Sequence, residues 1–312
     1  PEGLTRLYLS PSHRRAANAV AGWIRDAEME VRMDALGTLI GRYESAAAGA
    51  PVVLVGSHID TVRCAGKYDG ALGVLAALTA VEALAQSDER LPVAIEIVAF
   101  GDEEGIRFSS TLRGSRGLAG TLDPAVLDER DAIGVSVREA LVVFGTDPTL
   151  WAEAAMPPRT ALAFVEVHIE QGPVLERAGR PLGVVTAIVG LWDYRIKVVG
   201  EQNHAGTTRM AVRKDAGLAL ARFCVAIDET FPAICGPRTV WTTGRIALDP
   251  GAPSIIPGSA EMLFQMRDAD SAVVERLEEK LRAMAAEVTA QGPCSVTVER
   301  IRTGAPAMMD AA

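Results

Sequence analysis

Three apolar runs, each ending abruptly in polar side chains, constrain this chain more than any other feature. They are PVVLVGSHID (residues 51–60), LPVAIEIVAFGDEEG (91–105) and ALAFVEVHIEQGP (161–173). An unbroken apolar run suits a strand covered on both faces, the habit of parallel strands in α/β sheets. Helical stretches separate the runs, so consecutive strands can lie parallel. In open α/β sheets ligands sit beyond the carboxyl ends of the strands. The expectation is an α/β domain with a central mixed, mostly parallel sheet flanked by helices, which delivers His58, Glu103, Glu104 and His168 to one edge.

Residues 12–30 read as a helix with Ser12 as N-cap and Ala16, Val20, Trp23 and Ile24 on its apolar face. His13 reads as a surface residue of that helix. EVRMDALGTLIGRY reads as a hairpin with Gly37 near its turn, and residues 70–86 as a helix. After Arg180 the pattern becomes strand, helix, strand, strand, helix, strand, which suits an inserted α+β layer of the ferredoxin-like type. The expected division is therefore 1–181 with 304–312 as the catalytic domain and 182–303 as the insertion.

Composition narrows the partners. The 312 residues carry a net charge of −9, which argues against nucleic acid or an anionic membrane surface. No stretch approaches the ~18 apolar residues that span a bilayer. The first residues lack a signal-peptide core. Cys64, Cys224, Cys235 and Cys294 match neither a zinc ribbon nor a disulfide framework, which points to a reducing, cytoplasmic setting.

The residues that could carry chemistry are His58, Asp60, Asp69, Glu103, Glu104 and His168. Imidazole with carboxylate suits Zn²⁺, or Mn²⁺ or Co²⁺ where that ion is supplied. Two ions sharing one carboxylate can hold a hydroxide and clamp a carbonyl. Asp69, in a turn beside Gly70, is the natural bridge, and Asp60 can take the second N–H of His58 and fix its tautomer. Adjacent Glu103 and Glu104 cannot point the same way on an extended backbone. A loop there would let one bind metal while the other serves as general base. Each has a plainer reading alone: a satisfied buried histidine, an Asp-Gly turn, a solvated acidic loop, a strand residue bonded to a neighbour. Taken together, three strand ends with metal-type residues in a chain of four histidines favour a site.

GSHIDTV…GKYDGALGV, GDEEGIRF…LRGSRGLAG, VEVHIEQGPVLE, GVVTAIVG and GEQNHAGTTRM resemble the metal-dependent amidohydrolases of the M20 clan. More narrowly they resemble the branch of N-carbamoyl-L-amino acid hydrolases, allantoate amidohydrolases and β-ureidopropionases. HIEQGP and NHAGTT mark that branch; aminopeptidase-like relatives carry a carboxylate at the position of His168. The resemblance implies two divalent ions, Zn²⁺ or Mn²⁺, with Co²⁺ or Ni²⁺ as alternatives. His58 and His168 would bind one ion and Glu104 the other, with Asp69 between them. Glu103 would be the general base, Asp60 the partner that supports the His58 ligand and His204 the oxyanion donor. Asn203, Gln171, Ser254 and Arg267 would hold a small substrate. The inserted domain would act as lid and homodimer contact.

Three departures stand out. Ser254 occupies a position where the family usually has asparagine, and Arg209 one where proline is usual. The family's last metal ligand is a histidine, and none follows His204 here, so that ligand is expected beyond Ala312. The implied reaction is hydrolysis of a ureido or carbamoyl C–N bond in a carboxylate-bearing substrate. A peptidase or N-acyl amino acid deacylase, and a non-catalytic binding module with a degenerate site, are the alternatives.

Overall fold

The computed structural model describes residues 3–87 and 89–311, which form two compact units, one ending at Gly179 and the other beginning at Arg180. The first unit contains α1 (Pro11–Asp26), β1 (Glu30–Met33), β2 (Leu39–Tyr43), β3 (Val52–His58), α2 (Ala71–Gln86), β4 (Ala94–Phe100), α3 (Arg113–Leu118), α4 (Val137–Phe144), β5 (Ala161–Val165) and α5 (Val174–Arg177).

Its strands lie in the order β1-β2-β4-β3-β5. The β3–β4 and β3–β5 pairings are parallel, whereas β1–β2 and β2–β4 are antiparallel. The parallel part is therefore the three adjacent strands that carry the chemistry, and their carboxyl ends share one edge. Buried Val74, Ala77, Leu78 and Val81 of α2 pack with Ile95, Ile97 and Ala99 of β4 and with Ala17, Val20, Ala21 and Ile24 of α1. Ile40, Val52, Leu54, Ala94, Val98 and Leu118 form a second apolar cluster. Unlike β4, β5 has exposed apolar side chains at Leu162, Phe164 and Val165, and among the described residues it is the outer strand of this sheet.

The first helix departs from expectation in two ways. Its N-cap is Ser10, not Ser12: the Ser10 side chain accepts from His13 N at 3.2 Å and Pro11 takes the first helical position. The buried face runs through His13, Ala17, Val20, Ala21 and Ile24, while Trp23 is exposed. His13 is thus fully buried rather than on the surface. Its ring stacks on Phe144 with centroids 4.9 Å apart, and Nδ1 accepts from Leu9 N at 3.0 Å.

Burial pushes the His13 pKa down to about 4, with Arg6 and Arg14 adding to the shift against Asp60. A histidine whose folded pKa is lowered favours the neutral form. Its contribution to stability is complete above the unfolded value near 6.5 and is lost as pH falls through 4. That interval corresponds to about 3 kcal/mol. Urea midpoints should therefore fall between pH 7 and pH 4.5, and His13→Gln, which keeps an acceptor but does not titrate, should flatten the decline. Equal slopes for both proteins would contradict this.

The second unit contains β6 (Ala187–Ile188), β7 (Gly190–Val199), β8 (Asn203–His204), α6 (Ala216–Thr230), β9 (Val240–Asp249), β10 (Ile255–Ile256), β11 (Ser259–Asp268), α7 (Ser271–Gln291), β12 (Ser295–Gly304) and β13 (Ala307–Met308). Its antiparallel four-stranded sheet has the order β12-β7-β11-β9. Every second residue of β7 and β11 is buried, as period-two strands with one covered face require. Tyr194, Ile196, Val198, Met262, Phe264 and Met266 meet Phe223 and Ile227 of α6 and Leu277 and Leu281 of α7. β13 pairs with β6 inside this unit. Among the described residues, no helix is long and apolar enough to cross a membrane.

Candidate metal centre

At the end of β3, His58 is buried and its ring turns by a local contact. Nδ1 lies 2.9 Å from the backbone carbonyl of Asp60 and 3.5 Å from Asp60 Oδ1. The carbonyl is therefore the hydrogen-bond acceptor, and the carboxylate acts through its charge. With Nδ1 donating, Nε2 faces Asp69 Oδ1 at 3.7 Å. The expected role of Asp60 in fixing the His58 tautomer is filled by its backbone. Its carboxylate does something sequence reasoning missed: Oδ1 accepts from Glu103 N at 3.0 Å and Oδ2 from Glu104 N at 3.1 Å.

Asp69 sits just before α2, whose N-cap is Gly70 at φ +66. Glycine is required there twice over. The backbone is in the left-handed region, and a Cβ would lie 2.6 Å from His58 Nδ1 and 2.5 Å from His58 O. The space above the strand end is filled by the imidazole itself.

Beyond β5, His168 Nε2 lies 3.2 Å from Asp69 Oδ1, and its ring stacks near that of His58 with centroids 5.8 Å apart. Gln171, at φ +54, donates from Nε2 to Asp69 Oδ2 at 2.9 Å. Asp69 Oδ1 is buried and accepts no hydrogen bond among the described residues. A buried carboxylate oxygen without a hydrogen bond, with two imidazole nitrogens beside it, is the donor set a divalent cation fits. Ligand atoms of His58, Asp69 and His168 all lie within 4.8 Å of one another, as do those of His58, Glu103 and Glu104. The two clusters share His58, while the oxygen of Asp69 that a second ion would need is held by Gln171.

The charges are tightly coupled. Burial opposes a charged His58, but the hydrogen bond and charge of Asp60, with Glu103, hold its pKa up at about 9. Burial would raise Asp60, but His58 and the two backbone amides hold it below the ordinary carboxylate value. Desolvation raises Glu103, with Asp60 and Glu166 adding to it and His58 and His168 opposing; it also raises Glu104, with the charge of Glu103 adding. Glu166 accepts from Ser57 Oγ, and Glu170 accepts from Val174 N and Leu175 N at 2.7 and 2.9 Å. Those neighbours of His168 are structural.

The remaining expected residues belong to the second unit. β8 pairs with β10, placing Asn203 and His204 opposite Ile256 and Ile255, next to Ser254. His204 Nδ1 accepts from Gly206 N at 3.0 Å and Thr207 N at 3.2 Å, which in the neutral ring leaves the proton on Nε2. Asn203 Oδ1 caps His204 N at 3.0 Å. Arg213, which the sequence did not single out, binds the carbonyls of Ala205 and Thr208 at 2.6 and 3.0 Å and fixes this loop. Arg267 is exposed, and its Nε donates to Gln265 Oε1, not to an acidic neighbour; Asp268 is committed to Thr239 and Asp270 N.

Comparison with known proteins shows what the chain is similar to. The description "Peptidase family M20/M25/M40" matches residues 54–312. The chain is 40% identical over 306 residues to an N-carbamoyl-L-amino acid amidohydrolase of Geobacillus stearothermophilus, covering 98% of this chain and 74% of that protein. It is 37% identical over 290 residues to an allantoate deiminase of Arabidopsis thaliana, covering 86% of this chain and 55% of that protein. A crystal structure of a hydantoinase/carbamoylase family amidase from Burkholderia phymatum matches with a TM-score of 0.89 at 36% identity, over 99% of this chain and 76% of that one.

Proposed function

From the premise that this chain belongs to peptidase family M20/M25/M40, whose members are metal-dependent, we propose that it is an amidohydrolase of ureido and carbamoyl C–N bonds. The substrate class is R–NH–CO–NH₂ on a carboxylate-bearing carbon, and water converts it to an amine, CO₂ and ammonia. The observation that carries this reading is the unpaired Asp69 Oδ1 between the Nε2 atoms of His58 and His168. These three residues would hold a Zn²⁺ or Mn²⁺ ion, and Glu104 would contribute to a second. Asp69 would be shared between the two, with Gln171 bonded to its Oδ2.

When bound, the ion supplies polarisation of the substrate carbonyl and a lowered pKa for water beside it. Glu103 takes the proton of the attacking water and passes it to the leaving nitrogen; its raised pKa suits a base that must also give the proton back. Asp60 holds the amides of Glu103 and Glu104 and so fixes where both carboxylates start. His204 donates from Nε2 to the developing oxyanion. Arg267 suits a bidentate grip on the substrate carboxylate, and Asn203, Ser254 and Gln171 suit its ureido end. The second unit would be the lid and the homodimer contact. All four cysteines are free, which fits a cytoplasmic setting.

An ammonia-release assay tests this reading, with Mn²⁺ or Zn²⁺ added and N-carbamoyl-L-amino acids, N-carbamoyl-β-alanine and allantoate as substrates. At least one should be hydrolysed faster than an N-acetyl amino acid or a dipeptide. Cleavage of only the last two would make the protein a deacylase or peptidase, and cleavage of none with metal bound would make it a binding module.

A further inference from the structure

Arg113 is the largest side chain buried to below 2% exposure, and its hydrogen bonds go to Asp102, Ser110 and Glu129 rather than to a candidate ligand. It opens α3, just after the loop that carries Glu103 and Glu104. One Nη reaches Asp102 Oδ2 and, at 2.8 Å, the carbonyl of Ser110. The other reaches Glu129 Oε2. Glu129 in turn accepts from Ser110 N at 2.9 Å and from Ser110 Oγ. The guanidinium carbon lies 5.2 Å from the centre of the Phe108 ring. One cation thus ties the start of the loop, its end and the segment at 129 together.

Asp102 is the residue where the chain turns. Its φ is +65, in the left-handed region that aspartate enters more readily than most non-glycine residues but still at a cost. That turn removes the obstacle noted in the sequence, because consecutive side chains of an extended strand diverge. After it, Glu103 and Glu104 both reach the His58 cluster. The dipeptide is gripped from two sides. In front, Asp60 accepts from its two amides. Behind, Leu112 N donates to Asp102 O at 2.7 Å, Gly114 N to Gly101 O at 3.2 Å, and Arg113 grips the Asp102 side chain. A buried ion pair is a weak way to gain stability, and its best-attested use is to enforce one arrangement.

We propose that Arg113 is a positioning residue for the reaction, clamping Asp102 and Glu129 so that the general base and the adjacent metal ligand are presented together. The kinetic part rests on the function proposed above; the metal-binding part does not.

Two substitutions at Asp102 separate the clamp from the turn. Glycine adopts the left-handed conformation freely but offers Arg113 nothing. Asparagine tolerates that conformation and keeps an oxygen for Arg113 to grip. Mn²⁺ titration by calorimetry should show Asp102→Gly binding at least tenfold more weakly than wild type, with Asp102→Asn within threefold. Steady-state kinetics should show kcat at least 100-fold lower for Asp102→Gly, KM within threefold, and near-complete recovery in Asp102→Asn. Arg113→Lys, which keeps the charge but cannot fork to two carboxylates, should weaken Mn²⁺ binding in the same direction. The proposal is overturned if Asp102→Gly and Arg113→Lys both keep wild-type Mn²⁺ affinity, or if Asp102→Asn is as impaired as Asp102→Gly. Wild-type protein that binds Mn²⁺ but cleaves no ureido substrate would refute the proposed function, and the titrations would still decide the clamp.

Discussion

Glu103→Gln is expected to lower kcat roughly a thousandfold, within the range that a positioned general base supplies, while metal content and KM stay near wild type. The substitution keeps volume and the backbone amide that Asp60 holds at 3.0 Å. It removes only the ability to accept a proton. Desolvation raises the Glu103 pKa, with Asp60 and Glu166 adding to it, so the group is poised to take a proton and to release it. Metal analysis beside steady-state kinetics checks the prediction. A variant keeping more than a tenth of wild-type kcat with full metal content would remove Glu103 from the role of base.

The second large effect belongs to Asp69. Asp69→Asn should weaken the binding of Mn²⁺ or Zn²⁺ at least 100-fold, and it should not destabilise the metal-free protein. The physical reason is the same oxygen in both states. Without metal, Asp69 Oδ1 is buried and accepts no hydrogen bond among the described residues, so an amide in its place loses no hydrogen bond at that atom. With metal, it would be the anionic donor beside two imidazoles. A ligand at 100 times its dissociation constant stabilises by about 2.7 kcal/mol, so added metal should raise the melting temperature of wild type by on the order of 5 °C. Melting curves with and without metal check this. The variant should show almost no shift and an unchanged metal-free midpoint. An undiminished shift would mean that the cation binds elsewhere.

The features most legible in the sequence were those set by local periodicity. Three apolar runs announced β3, β4 and β5, and the polar residues at their ends do share one sheet edge, since these strands are adjacent and parallel. The long strands and the two helices of the second unit were equally plain, whereas the two-residue strands β8, β10 and β13 were not. What the sequence hid depends on chain segments far apart. His13 is buried because Leu9 and the distant Phe144 enclose it. The N-cap at Ser10 could have been found from Pro11, which favours the first helical position. The bond of Asp60 to the amides of Glu103 and Glu104, that of Gln171 to Asp69, and the grip of Arg113 on Asp102 and Glu129 link residues brought together by loop paths that no periodicity encodes. The exposure of Leu162, Phe164 and Val165 on β5 was not legible in its apolar run.

Diffraction from Mn²⁺-soaked crystals, recorded on both sides of the manganese absorption edge, probes the proposed centre most directly. The account predicts an anomalous peak bonded by His58 Nε2, His168 Nε2 and an oxygen of Asp69. A peak elsewhere, or none where these three groups converge, would contradict it.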